Sequence, residues 1–338
     1  MKTTPPTVLA SSLRAFFGEY LPTLRGVSPH TIASYRDSLT LLLRFASRPP
    51  GRDVARLDVD DLTREVVIAF LTHLEQDRHV AVTTRNVRLA AIHAFARFFA
   101  TQHPAQMEHA QRLLGVPFKR ARARPIEYLE HDDISHVLGA IDRSTPLGRR
   151  DYTLLAAMFN TGARVQEILD VRATDLQLTK PFQVRLLGKG RKTRTCPLWP
   201  QTAQWLRALC AERQLDLRAE ARVFVNHRGT PLTRFGVRFI LAKHLRRAAR
   251  TDPALARKRL HPHSLRHSTA VHLLKSGVDL PSIAHWLGHA SINTTNRYAT
   301  IDLEMKRKAL AKAKPPDARA SPPAWRRNPT ILEWLEAL

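Results

Sequence analysis

PFQVRLLGKGRKTRTCPLW, residues 181–199, sets two short β-prone runs on either side of a Gly-rich basic turn, the pattern of a β-hairpin. On both sides of it the chain reads as helix. Upstream, DYTLLAAMFNTGARVQEILDVR (151–172) predicts a helix, a break at Thr161-Gly162, and a second helix. Downstream, helices resume from Gln201. HSLRHSTAVHLLKSG (263–277) is a helix ended by Gly277, and LPSIAHWLGH (280–289) another ended by Gly288. The expected fold class is therefore α+β, mainly α with a small antiparallel sheet, in a domain that starts near Ile126.

The first third reads as helices alone. SPHTIASYRDSLTLLLRFA (28–46) opens with Ser28 as N-cap and Pro29 at the first helical position. Ile32, Tyr35, Leu39, Leu42 and Leu43 then recur at helical spacing. TREVVIAFLTHLEQDR repeats the pattern from Thr63. VTTRNVRLAAIHAFARFFATQ (82–102) makes a third helix, with Arg85, Arg88 and Arg97 free to leave its apolar stripe toward DNA. With an opening helix around Leu9 to Tyr20, a four-helix domain is expected over residues 8–104.

Residues 105–125 carry Arg112, Lys119, Arg120, Arg122 and Arg124 and read as a basic interdomain linker. The planar fork of arginine suits a linker that crosses phosphates. The second domain is expected over 126–306. Residues 307–338 form a Pro-rich spacer, PPDARASPPAWRRNP, and a short amphipathic helix, TILEWLEAL, expected to dock on a neighbouring protomer or on its own chain.

The 338 residues suffice for two domains. Against 29 Asp and Glu stand 54 Lys and Arg, a net charge of +25, which calls for a polyanionic partner. No strongly amphipathic basic helix suggests a membrane surface, and no apolar run approaches the ~18 residues that span one. MKTTPPTVLASSLRAFF is too interrupted for a signal peptide. Cys196 and Cys210 cannot supply a disulfide framework or a four-cysteine zinc site. A cytoplasmic, nucleoid-associated protein is expected.

Four segments in order, TGARVQEIL, GKGRKTRTCPL, PHSLRHSTAVHLL and LGHASINTTNRY, resemble the catalytic domain of the tyrosine site-specific recombinases, the integrase and Xer-type family. The helical first domain resembles that family's SAM-like core-binding domain. The likeness covers residues from about 10 to 305. It implies catalytic roles for Arg164, Lys189, His263, Arg266, His289 and the nucleophile Tyr298, nine residues beyond His289. None of the six is substituted. The resemblance also implies a 3′-phosphotyrosyl intermediate formed without metal, cofactor or ATP. A specific double-stranded site, a homo-tetramer (or one shared with related recombinases) and a Holliday junction complete the expectation, with a mobile element favoured over chromosome-dimer resolution.

The chemistry asks for this set. At pH 7 only about one tyrosine in a thousand is phenolate, a cost of roughly 4 kcal/mol, and a phosphodiester repels that anion. Two guanidiniums on the non-bridging oxygens, assigned to Arg164 and Arg266, neutralise the phosphate and stabilise the pentavalent transition state. His263 and Arg266 stand three apart on one helical face, and His263 is the candidate to take the phenol proton. His289 is placed to bind the phosphate or hold a neighbour. Lys189 lies in the hairpin turn. The resemblance implies that it protonates the leaving 5′ oxygen, while its surroundings also suit a phosphate contact shared with Arg191, Lys192 and Arg194. Glu167, three residues after Arg164, is read either as an orienting partner or as an exposed carboxylate. His261, His263 and His267 cluster, but no cysteine or carboxylate joins them, so no metal is expected. Two rival activities fit the same segments: a non-catalytic DNA-binding regulator, and a type IB topoisomerase-like relaxation.

Overall fold

The computed structural model describes residues 5–48, 53–121, 126–188, 190, 192–258 and 260–288, together with Thr295 and Tyr298. They fall into two units divided between Arg124 and Pro125.

In the first unit, α1 (Val8–Ala15) runs into a wider π-type turn, Phe16–Leu24. Then come α2 (Pro29–Ala46), α3 (Arg64–Gln76), α4 (Val82–Gln102) and α5 (Met107–Leu114). The helix starts follow the local sequence. The Thr31 amide donates to Ser28 Oγ with Pro29 next to the cap, and the Val66 amide donates to Thr63 Oγ1. The helices close on an aromatic core in which the Phe16 ring lies 5.5 Å from Phe95 and 5.3 Å from Phe98.

Two expectations are overturned in this unit. Residues 105–125 are not linker from their start, because Ala110, Leu113 and Val116 form an apolar stripe that buries α5 in the same core. Nor does Arg85 leave the apolar stripe of α4. Its guanidinium is buried against Glu75, Nε to Oε1 3.4 Å, and donates to the Pro117 carbonyl at 3.0 Å. A basic side chain turned inward needs such partners, and α3 and the chain after α5 supply them. Arg88 is half-buried on Ser38 Oγ at 3.0 Å. Arg97, Lys119 and Arg120 are exposed, with Lys119 paired to Glu75 at 2.9 Å. Arg122 and Arg124 lie outside the described residues.

The second unit runs α6 (His131–Gly139), α7 (Pro146–Thr161), α8 (Val165–Leu169), β1 (Leu176–Gln177), β2 (Gln183–Leu187) and β3 (Thr193–Pro197). It continues with α9 (Pro200–Glu212), α10 (Arg234–Ala248), α11 (Pro262–Lys275) and α12 (Leu280–Leu287). The expected hairpin is β2–β3, closed with Leu187 opposite Thr193, and β1 extends it into a three-stranded antiparallel sheet. Val184, Leu186 and Cys196 turn into the core beside α7, whose Leu154, Leu155, Ala157 and Met158 are buried.

The break at Thr161-Gly162 has a steric cause. Gly162 caps α7 at φ +59°, and a Cβ there would lie 2.4 Å from Leu287 Cδ2. Only glycine allows both that backbone and that approach of α7 to α12. Among the described residues no helix is long and apolar enough to cross a membrane. The tail read as spacer and terminal helix lies outside them.

Candidate active site

α8 starts at Arg164, and Glu167 one turn on grips both ends of that residue. The Arg164 amide donates to Glu167 Oε2 at 2.9 Å and its Nη1 to Oε1 at 2.7 Å. The spacing R-x-x-E closes this loop as a capping box does. Glu167 is buried and also accepts from Arg194 Nη2 on β3 at 2.7 Å. Burial works to raise the Glu167 pKa, but the bonds from Arg194 and Arg164 prevail and hold it below the ordinary value. Glu167 is therefore an orienting partner of Arg164, not an exposed carboxylate.

Arg194 departs from its expected place on a phosphate. Its side chain is only 8% exposed, and its Nε donates to the Trp286 carbonyl of α12 at 2.9 Å. It points back from the hairpin into the protein because Glu167 and a helix-end carbonyl accept its hydrogen bonds there. Lys192 is exposed. Lys189 and Arg191 lie outside the described residues.

α11 carries the second arginine. Arg266 is 2% exposed, and it donates from Nη1 to the Gly162 carbonyl at 2.7 Å and from Nη2 to the Leu287 carbonyl at 2.6 Å. Those carbonyls end α7 and α12, so one guanidinium joins two helix C-termini, where the helix dipole favours a cation. Burial and then the Arg164 charge lower the Arg266 pKa to about 10, while Glu167 and Tyr298 act the other way. The group stays charged at neutral pH, and Arg164, Arg194, Glu167 and Tyr298 all lie within its electrostatic reach.

Next to Arg266 on α11, His267 Nδ1 sits 2.7 Å from the Tyr298 hydroxyl. His263 packs its ring edge-on to His267, centroids 4.7 Å apart. Tyr298 is buried beside Ala270, Val271, Leu274, Ile283 and Leu287. The sequence offered His267 only as a member of a possible metal cluster. The signal that could have found it is its spacing: His263 and His267 are four apart and so share a face of α11.

Of the six residues in the expected catalytic set, four are thus brought to one place: Arg164, His263, Arg266 and Tyr298. His289 and Lys189 lie outside the described residues. The arrangement offers two guanidiniums against an anion, a phenolic oxygen as nucleophile and imidazole as proton acceptor.

Comparison with known proteins points the same way. Residues 127–305 match the model of the phage integrase family, and residues 14–103 that of the phage integrase N-terminal SAM-like domain. The Sinorhizobium fredii protein named integrase/recombinase y4rC is 38% identical over 98% of both chains. The tyrosine recombinase XerD of Listeria monocytogenes is 32% identical over 84% of this chain and 92% of its own. In fold, the chain is similar to XerH site-specific recombinase bound to difH substrate, with a TM-score of 0.65 at 20% identity over 91% of this chain and 85% of that one. It is similar also to the Tn1549 transposon integrase in complex with transposon right end DNA, with a TM-score of 0.67 at 15% identity over 88% and 97%. With both parts of the chain matched and a relative aligned almost end to end, the chain belongs to the phage integrase family and is a tyrosine recombinase.

Proposed function

We propose that the chain is a site-specific DNA recombinase of a mobile element that cuts and rejoins strands through Tyr298. Its hydroxyl attacks the phosphorus of a DNA strand and passes its proton to imidazole on α11. The bond from phosphorus to the 5′ oxygen breaks, and that oxygen leaves as a hydroxyl with a proton from Lys189. A 3′-phosphotyrosyl link remains, and attack by a partner strand's 5′ hydroxyl reverses the step with no ATP or metal. Arg164 and Arg266 hold the non-bridging oxygens, and His289 completes the phosphate site.

Each protomer cuts one strand, so exchange between two duplexes calls for a tetramer and a Holliday junction. The observation that carries this reading is the meeting of Tyr298 with His267 inside the electrostatic reach of Arg266. The excess of 54 basic over 29 acidic residues supports a DNA partner. The likeness to a transposon integrase supports the mobile element.

The test uses duplexes recovered by the full chain from a random-sequence library, rebuilt with a nick so that the cut strand cannot religate. A covalent adduct lost in Tyr298→Phe is expected. No adduct with the parent chain overturns catalysis and leaves a DNA-binding regulator. Exchange between two labelled duplexes then separates recombination from relaxation of a topoisomerase kind.

A further inference from the structure

α10 presents two phenylalanines to solvent. Phe235 is 81% exposed and Phe239 64%, and at i and i+4 they form one apolar step on the helix surface. The opposite face is fixed, because Val237, Ile240, Leu241 and His244 are buried and the helix packs on α6, α8 and α11. α10 therefore rests on the helix that Arg164 opens and on the helix that carries Arg266. An aromatic pair held out of the core on a rigid element marks a contact surface.

The charge around the pair selects the partner. Between Glu220 and Asp252 the sequence holds no acidic residue. Arg234 and Arg238 are exposed beside the pair, Arg228 is exposed in the loop ahead of the helix, and Lys243, Arg246 and Arg247 continue the charge along it, Lys243 with its Nζ 3.9 Å from the buried Asp151 carboxylate. Thr233 caps the start, its Oγ1 accepting from the Gly236 amide at 3.1 Å, so the positive end of the helix dipole adds to the cationic field. A segment whose own exposed charges are all cations favours a polyanion over a protein surface, and the major groove of a duplex has the width for a helix. In that groove the apolar feature is the 5-methyl of thymine, which phenylalanine contacts.

We infer that Phe235 and Phe239 are specificity-determining contacts that read thymine methyl groups in the major groove, with Arg234 and Arg238 on the flanking phosphates. This rests on the reading of DNA as substrate given above. It adds what phosphate contacts leave open, since those position a protein without specifying bases.

The experiment takes the library-selected duplexes bound by the full chain and replaces each enriched thymine, one at a time, by deoxyuridine, which removes only the methyl. An affinity loss of about fourfold per contacted methyl is expected. The thymine enrichment should vanish from the sequences recovered by Phe235→Ala/Phe239→Ala. Deoxyuridine without effect at every enriched thymine overturns the inference while leaving the recombinase reading intact. So does recovery of the same thymines by the double variant. A chain that binds no duplex overturns the DNA reading itself. The deoxyuridine arm uses the unaltered protein, so it stands even if the double variant folds poorly.

Discussion

His267 Nδ1 and Tyr298 Oη stand 2.7 Å apart, a hydrogen bond between an imidazole and the phenol proposed as nucleophile. With Nδ1 unprotonated, the phenol donates, and its proton already has a place to go. His267→Gln keeps polar bulk but is a far weaker base. A fall of about 10²-fold in adduct formation is expected, the size of a lost general base. Single-turnover rates of adduct formation measure it. A variant within threefold of the parent defeats the assignment.

Arg266 separates stability from activity. Its pKa, lowered to about 10 chiefly by burial, means that the fold disfavours its charged form, on the order of 3 kcal/mol at neutral pH. In Arg266→Gln that cost disappears, while the Gly162 and Leu287 carbonyls lose strong donors worth about 1.5–3 kcal/mol each. The two effects oppose, so the variant should unfold within a few degrees of the parent or modestly below it. Adduct formation should fall on the order of 10²–10³-fold, as for one lost preorganised donor. Calorimetry beside the nicked-duplex assay checks the split. A variant that keeps cleaving removes Arg266 from the clamp.

Arg194 joins the hairpin to the first arginine through Glu167 and to α12 through the Trp286 carbonyl. An ideal Cβ on Gly288 would come within 3.1 Å of Arg194 Nη1, so the end of α12 lies against it. Arg194→Ala should slow cleavage at least tenfold by releasing Glu167 from one of its two guanidiniums, and Arg194→Lys should restore part of the rate. A lost phosphate contact would lower the slope of log affinity against log salt by about 0.9. The expected slope is unchanged, and a reduction of that size puts Arg194 back on the DNA.

Much of this was legible in the chain because it rests on local rules. Ser28-Pro29 starts α2, Gly162 and Gly288 stop their helices in the left-handed region, and the hairpin lies where the β-prone runs lie. What stayed hidden depends on contacts distant in sequence. Arg85 and Arg194 look like surface cations until Glu75 and Glu167 come beside them. α5 reads as linker because its apolar stripe, Ala110 and Leu113 with Val116 just beyond the helix, is short and set among charged residues. His267 needed Tyr298, 31 residues on, to show its use.

The last prediction concerns acid. Asp151 on α7 and His244 on α10 are both buried and bond at 2.8 Å, with Arg150 also on the carboxylate. Burial works to raise the Asp151 pKa, yet the bonds from His244 and Arg150 win and hold it below the ordinary carboxylate value. A depressed folded pKa means that the contribution is full above the unfolded value of about 3.9 and fades as pH falls through the folded one. The second unit should therefore lose this part of its stability only below about pH 4. Asp151→Asn removes a partner from a buried charged group, for which the cost is about 3–5 kcal/mol. It should also flatten that acid limb. Because the pair anchors α10 to α7, the same variant should loosen the helix that presents Phe235 and Phe239, seen as faster amide exchange along α10. Urea unfolding at neutral pH and near pH 3 measures the first effect. Equal losses in parent and variant between those pH values would show that Asp151 carries none of the acid sensitivity.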